Sequence, residues 1–216
     1  MKSVTVFGGS GPTGQWIVAG ALERGHSVTV LARSPDKVAR HERLTVVQGD
    51  VLDANAVANV VSGRDAIISS LGSPFTFKPV TIYSAGATNI IAAMRAAGVR
   101  RFVTITSGGT HPGRAPENPF FFERVLKPLF HTLYDDMRRM EELVEQSDLD
   151  WTVLRPARLT NAATSGGVRV GPGKYSLRGL GTTTRRDLAR VTLDALESGE
   201  LVRVVAAVAS EPTSRR

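Results

Sequence analysis

The stretch Gly8-Gly9-Ser10-Gly11-Pro12-Thr13-Gly14 follows a short run of β-formers at 3–7 and leads into a helix-patterned segment at 13–24. Glycine adopts backbone angles that a side chain forbids, so such a turn is tight and lets a ligand approach the main chain closely. Strand, glycine turn, helix and second strand arrive in the order that sets a pyrophosphate on a helix N-terminus, where backbone N–H groups stabilise its charge. With its GxxGxxG spacing, this is the pattern of a dinucleotide-binding βαβ unit, although a glycine turn that merely packs has the same residues. A mononucleotide phosphate loop is excluded. Gly9 and Gly14 have its separation, but Gln15-Trp16 stands where Lys-Ser/Thr is required.

Outward from this turn, β-rich runs recur at 27–32, 44–48, 66–69, 101–106, 151–155 and 202–206. They lack clean polar alternation, as expected of strands covered on both faces of a parallel sheet. Segments with three- and four-residue apolar spacing separate them, at 54–61, 80–97, 134–146 and 185–197. Gly25, Gly63, Gly98 and Gly199 stand where helices should end. The alternation predicts an α/β fold, a single-domain doubly wound parallel sheet with helices on both faces, over 1–209, followed by a frayed tail at 210–216. Loops at 72–79 and 107–126 leave the carboxyl ends of strands, where open α/β sheets bind ligands.

Composition narrows the function. The 216-residue chain is 42% hydrophobic and 22% charged, ordinary for a soluble domain large enough to need no covalent staples. It has no cysteine, which removes thiol catalysis, thiolate metal sites and disulfides together. The four histidines fall in no metal-ligand spacing, so no metal is expected. No signal-type start is present, and Arg95 splits the longest apolar stretch; the expected location is cytoplasmic. The net charge of +7 is scattered, with neither a helix-turn-helix or finger to suit nucleic acid nor a basic amphipathic helix to suit a membrane. An anionic small molecule fits it better, bound by a monomer or homodimer.

The cofactor reading can be refined by charge. The second strand ends in Leu31-Ala32-Arg33-Ser34, with a guanidinium where an NAD site carries a carboxylate for the ribose hydroxyls. Arg33, with Lys37 four residues on, suits a 2′-phosphate and favours NADP(H) over NAD(H); otherwise Arg33 is a solvated charge. Asp50, after the third strand, either accepts a hydrogen bond from adenine or caps the next helix.

These motifs, together with Gly49-Asp50-Val51-Leu52, Leu71-Gly72, Gly86-Ala87-Thr88-Asn89, Thr106-Ser107 and Asp135-Asp136-Met137-Arg138, resemble the atypical short-chain dehydrogenases. The resemblance points to the biliverdin reductase B and flavin reductase-like group of NAD(P)H-binding proteins, with NmrA-like regulators further off. It implies a Rossmann fold in which Gly8, Ser10, Gly11, Pro12, Thr13 and Gly14 hold the pyrophosphate side. It further implies that Arg33 and Lys37 meet the ribose phosphate, Asp50 and Val51 the adenine, and Leu71, Gly72 and Ser73 the middle of the cofactor. Thr106, Ser107, Arg155 and Pro156 fall on the nicotinamide side. Ser107 is a candidate to hydrogen-bond a substrate carbonyl or the carboxamide; as a turn or cap serine it would serve only structure.

Two departures bear on chemistry. Arg155-Pro156-Ala157-Arg158 lacks the histidine that the resemblance would place there. Tyr134 and Arg138 keep the spacing of a Tyr-x-x-x-Lys pair, but arginine stays charged and cannot shuttle a proton, so Tyr134 is either a catalytic phenol or simply a residue opening a helix. Flavins and quinones accept hydride without a strong protein acid. Phe75, Phe77, Phe120, Phe121, Phe122 and Phe130 lie in or beside the two ligand-side loops. The expected activity is therefore NADPH-dependent reduction of a flavin, quinone or similar planar aromatic acceptor. A catalytically weak NADP(H)-sensing regulator is the alternative. A sugar-nucleotide epimerase is disfavoured, since only about sixty residues follow 151–155.

Overall fold

The computed structural model describes residues 1–74, 76, 78–111, 124–125, 127–163, 167–172 and 181–211. The elements run β1 Ser3–Phe7, α1 Pro12–Glu23, β2 Ser27–Ala32, β3 Leu44–Gln48, α2 Ala54–Val61, β4 Ala66–Ser69, α3 Ile82–Ala97, β5 Arg101–Ile105, α4 Lys127–Leu129, α5 His131–Glu145, β6 Asp150–Pro156, β7 Leu159–Thr160, β8 Val168–Pro172, β9 Thr183–Thr184, α6 Arg185–Ser198 and β10 Val204–Ser210. Eight strands form one sheet in the order β3-β2-β1-β4-β5-β6-β10-β8. All neighbours are parallel except β8, which pairs antiparallel with β10. The doubly wound α/β expectation holds, and the strand order reverses between β1 and β4. At that switch point the loops after β1 and β4 diverge and open a crevice.

Strand periodicity explains why both faces are covered. Val4 and Val6 join the core beneath α1 and α6, whereas Phe7 joins the core beneath α2, α3 and α5. Thr5, on the same face as Phe7, is fully buried and donates its hydroxyl to the Val60 carbonyl at 2.5 Å. In β5 the alternation repeats: Phe102 packs with Met94 and Met140, and Val103 with Leu154 and Leu188. Strands apolar on both faces pay for burial of their backbones through the ladder bonds alone, which is why they read as continuous apolar runs.

Several boundaries differ from the sequence reading. The last strand is β10 at Val204–Ser210 rather than 202–206, because Arg203 takes a left-handed φ of 57° and starts the strand late. Ser210, expected in a frayed tail, is buried. Its hydroxyl donates to Asp187 at 2.6 Å and accepts from the Thr184 N–H at 2.9 Å. The edge strand β8 and the pair β7–β9 are not marked in the sequence, since β8 lies among glycines and a proline and β7 and β9 are two residues each. Helix α5 begins at His131, one turn before the expected 134, and α3 at Ile82 rather than 80.

The glycine turn leaves no room for side chains. Gly8 has φ +76°, and a Cβ there would come within 2.6 Å of the Ser70 carbonyl carbon. A Cβ at Gly14 would strike the Gly8 carbonyl oxygen and sit 2.7 Å from the Gly9 Cα. Nothing lies within 4 Å of a Cβ at Gly72. Gly14→Ala should thus lower the unfolding free energy by about 1–3 kcal/mol, while Gly72→Ala should leave it within about 0.5 kcal/mol. Urea denaturation of both variants checks this, and equal losses would contradict the packing argument.

Candidate functional site

A cavity of about 1000 Å³ lies along the carboxyl ends of the parallel strands. Its walls bring together Gly8, Ser10, Gly11, Pro12, Thr13, Arg33, Asp50, Val51, Leu71, Gly72, Ser73, Thr106, Ser107, Tyr134 and Pro156. These are most of the positions singled out from sequence. Gly14 is absent from the wall but makes it possible, since its bare backbone lets α1 start against Gly8. Lys37 sits exposed in the helical turn Pro35–Lys37, outside the wall.

The residues present fit a dinucleotide. Helix α1 starts at Pro12 with Gly11 as its N-cap, and no side chain caps it. Its first-turn N–H groups are left for an anion beside the cavity. Arg33 lines the cavity from the end of β2, is exposed and makes no ion pair among the described residues. The helix-cap alternative for Asp50 is corrected: α2 is capped by Asp53, which accepts from the Asn55 and Ala56 N–H groups at 2.9 and 3.2 Å. Among the described residues, the Asp50 side chain accepts from the Leu52 N–H at 3.0 Å, and Asp50 stays on the wall.

Beyond β5, polar groups converge on a different task. Glu141 of α5 is buried and ties three elements together. Its Oε1 accepts from Thr106 at 2.7 Å, Thr110 at 3.0 Å and Arg155 Nε at 2.9 Å, and its Oε2 from the Arg155 terminal nitrogen at 2.5 Å. Arg155 is thereby directed into this pair, in the interior and away from the cavity wall. Burying two charges is offset only when geometry and further donors are this complete.

Ser107 caps the helical turn Gly108–Thr110, accepting from the Gly109 N–H at 3.1 Å, and lines the cavity as well. Tyr134, in the first turn of α5, is buried on the wall. Gly109 lies against its ring, and a Cβ there would come within 2.7 Å of Tyr134 Cζ. Arg138 pairs with Asp135 at 2.6 Å, a half-exposed ion pair on the surface of α5. Phe130 packs on the core rather than the cavity, and Phe75, Phe77, Phe120, Phe121 and Phe122 lie outside the described residues.

Sequence reasoning missed Tyr83. From the first turn of α3 it lines the cavity, and its phenol oxygen accepts the Ser73 N–H at 2.9 Å. Burial pushes its pKa up, so the hydroxyl is protonated at neutral pH. Buried Asp136 of α5 accepts from the Tyr83 N–H at 2.9 Å and from the Ser84 hydroxyl, standing in for the missing cap of α3. The available signal was position: a tyrosine opening the helix after β4 faces the switch point. Leu133, Met137 and Ile82 complete an apolar lining on the same side.

The family model for NAD(P)H-binding proteins matches residues 8–199. The chain belongs to this NAD(P)H-binding family. It is 35% identical over 121 residues to a 3-beta-hydroxysteroid dehydrogenase of Mycolicibacterium neoaurum, covering 51% of this chain and 33% of that protein. The chain spans 33–40% of the length of the first curated relatives it matches. Among solved structures, a short-chain dehydrogenase/reductase of Veillonella parvula in complex with NADP superposes with a TM-score of 0.82 at 18% identity, over 100% of this chain and 98% of that one. A candidate NADH-flavin reductase of Streptococcus pneumoniae gives 0.79 at 20% identity, over 98% and 100%. At such identities the likeness is one of fold. Among the described residues, no helix is long and apolar enough to cross a membrane, and no group of acidic or histidine side chains has the arrangement of a metal site.

The buried pair gives a direct test of how this family member braces its cavity. Arg155→Met should cost about 3–5 kcal/mol, because it leaves Glu141 buried without its cation. The double variant Arg155→Met, Glu141→Leu should recover much of that loss. Denaturant melts of the three proteins decide it; a double variant as unstable as the single one would contradict the role of the uncompensated charge.

Proposed function

We propose that the chain is an NADPH-dependent reductase that delivers hydride to a planar conjugated acceptor such as a flavin or quinone. The observation that carries this reading is the cavity itself, which runs from Arg33, a cation without an ion pair among the described residues, to a stretch lined by Tyr83, Leu133, Tyr134 and Met137. When bound, the nicotinamide cofactor supplies the hydride. The residues of this chain bind, orient and exclude water.

Arg33 is the residue that would tell NADPH from NADH, by charge-assisted hydrogen bonds to the 2′-phosphate. The uncapped start of α1 would receive the pyrophosphate, and Asp50 and Val51 would flank the adenine. Leu71, Gly72 and Ser73 would line the middle of the cofactor, with Ser73 held by Tyr83. Ser107 would hydrogen-bond the carboxamide or the substrate from its capped turn.

The choice of acceptor follows from the acid chemistry. Arg138 is engaged by Asp135, and arginine does not relay protons in any case, so the proton-donating machinery of carbonyl reduction is not built from Tyr134 and Arg138. An acceptor that takes hydride without concerted protonation by a strong acid suits this site. The flat rings of Tyr83 and Tyr134 with Leu133 and Met137 provide surface for such a molecule.

NADPH oxidation should accelerate on adding a flavin or quinone. Arg33→Asp should raise the Kd for NADPH by about 10- to 100-fold, the loss of a charged hydrogen bond, and change that for NADH by less than about threefold. Equal loss for both cofactors would remove Arg33 from phosphate reading. Saturable NADPH binding with no turnover on any acceptor would overturn the reductase and favour the sensing alternative.

A further inference from the structure

The cavity has two charged ends that differ in kind. Among the described lining residues, Arg33 and Asp50 follow β2 and β3, whereas Arg158 and Arg185 lie beyond β6 and at the start of α6. The sheet order β3-β2-β1-β4-β5-β6 puts the glycine turn and the loop after β4 between them. A dinucleotide whose ribose phosphate meets Arg33 and whose pyrophosphate meets α1 runs toward β5. The β6 end is left for the second reactant.

At that end no acid among the described residues neutralises the positive charge. Arg158 is exposed and its side chain makes no ion pair or hydrogen bond among the described residues; only its backbone carbonyl is engaged, by the Thr183 N–H at 3.0 Å. Arg185 donates one bond, to Asn161 Oδ1 at 2.7 Å, a neutral partner that orients the guanidinium without cancelling it. Asp187, the nearest acid along α6, is fully buried and turned to Ser210 and Arg190. Asp50 is the sole carboxylate among the described lining residues, and it belongs to the opposite end. Elsewhere in the fold, Arg24, Arg95, Arg100, Arg138 and Arg155 each face an acid.

Resting on the reading that an acceptor binds beside NADPH, we infer that this acceptor carries an anionic group, carboxylate or phosphate, on the edge away from its reacting ring, and that Arg158 and Arg185 hold it. Two guanidiniums with free donors match either oxyanion through charge-assisted hydrogen bonds. The net charge of the chain would help to draw both anionic reactants to the same crevice.

The test uses three flavins that differ at one edge: FMN, with a phosphate; a flavin with a carboxymethyl group at N10; and riboflavin, which is uncharged. Each is titrated by flavin fluorescence into the intact chain saturated with NADP, and in parallel assayed for NADPH oxidation. The expected result is that at least one anionic flavin binds ten-fold or more tighter than riboflavin. The preferred anion then names itself as phosphate or carboxylate. In an Arg158→Gln, Arg185→Gln variant with an unchanged melting temperature, this preference should vanish while riboflavin and NADP bind as before.

Equal binding of all three flavins, or binding of none, overturns the anion site. So does a variant that loses NADP affinity instead, since the arginines would then serve the cofactor. The two readings separate cleanly. Reduction of riboflavin as fast as FMN with equal affinity keeps the reductase and removes the anion site, whereas anion-dependent flavin binding without hydride transfer does the reverse.

Discussion

The contact between the Gly8 carbonyl and the backbone of Gly14 is the constraint on which the rest depends. It brings the first turn of α1 against the end of β1, at the place where the sheet order reverses. Any Cβ at Gly14 separates the two and withdraws the helix N-terminus from the crevice. Because Gly11 offers no side chain to cap α1, the Thr13 and Gly14 N–H groups have no side-chain cap and gain most from an external anion. A small steric fact thus becomes an electrostatic one.

The opposite wall is held by charge rather than by lack of bulk. Glu141 collects Thr106, Thr110 and Arg155, fixing the end of β5, the turn after it and β6 relative to α5. Asp136, five residues earlier on the same helix, reaches α3 and secures Tyr83. Helix α5 therefore presents two buried carboxylates that hold the ligand side in place, and neither lines the cavity. Some of the basic side chains are structural: Arg24 braces α1 on α6 through Asp194 and Glu197, and Arg101 donates to three carbonyl and hydroxyl oxygens across β6 and α6.

The sheet and the cofactor half of the cavity were legible because they depend on local patterns. Apolar runs mark strands, a glycine turn ahead of a helix marks the proposed pyrophosphate site, and the charge ending β2 marks the proposed ribose site. Arg155 shows where such reading stops. Its neighbour Pro156 reaches the wall, but the guanidinium follows a carboxylate fourteen residues earlier, a pairing that no local spacing announces. Asp50 and Asp53 present the same difficulty at shorter range, since both can cap a helix and only the chain path decides that Asp53 does. Tyr83 and the two arginines at the β6 end were hidden for another reason: the loops that bring them together are far apart in sequence. The strand β8 was obscured by its glycine and proline surroundings, which signal a loop even where an edge strand can use them.

With no cysteine in the chain, any redox chemistry falls to a bound cofactor and its acceptor, and all of it depends on cofactor binding. Calorimetric titration of the intact chain with NADPH tests it most directly. The account predicts one saturable site per chain in the micromolar range, with ADP-ribose bearing a 2′-phosphate competing for it. Absence of saturable binding at millimolar NADPH would contradict the account at its foundation.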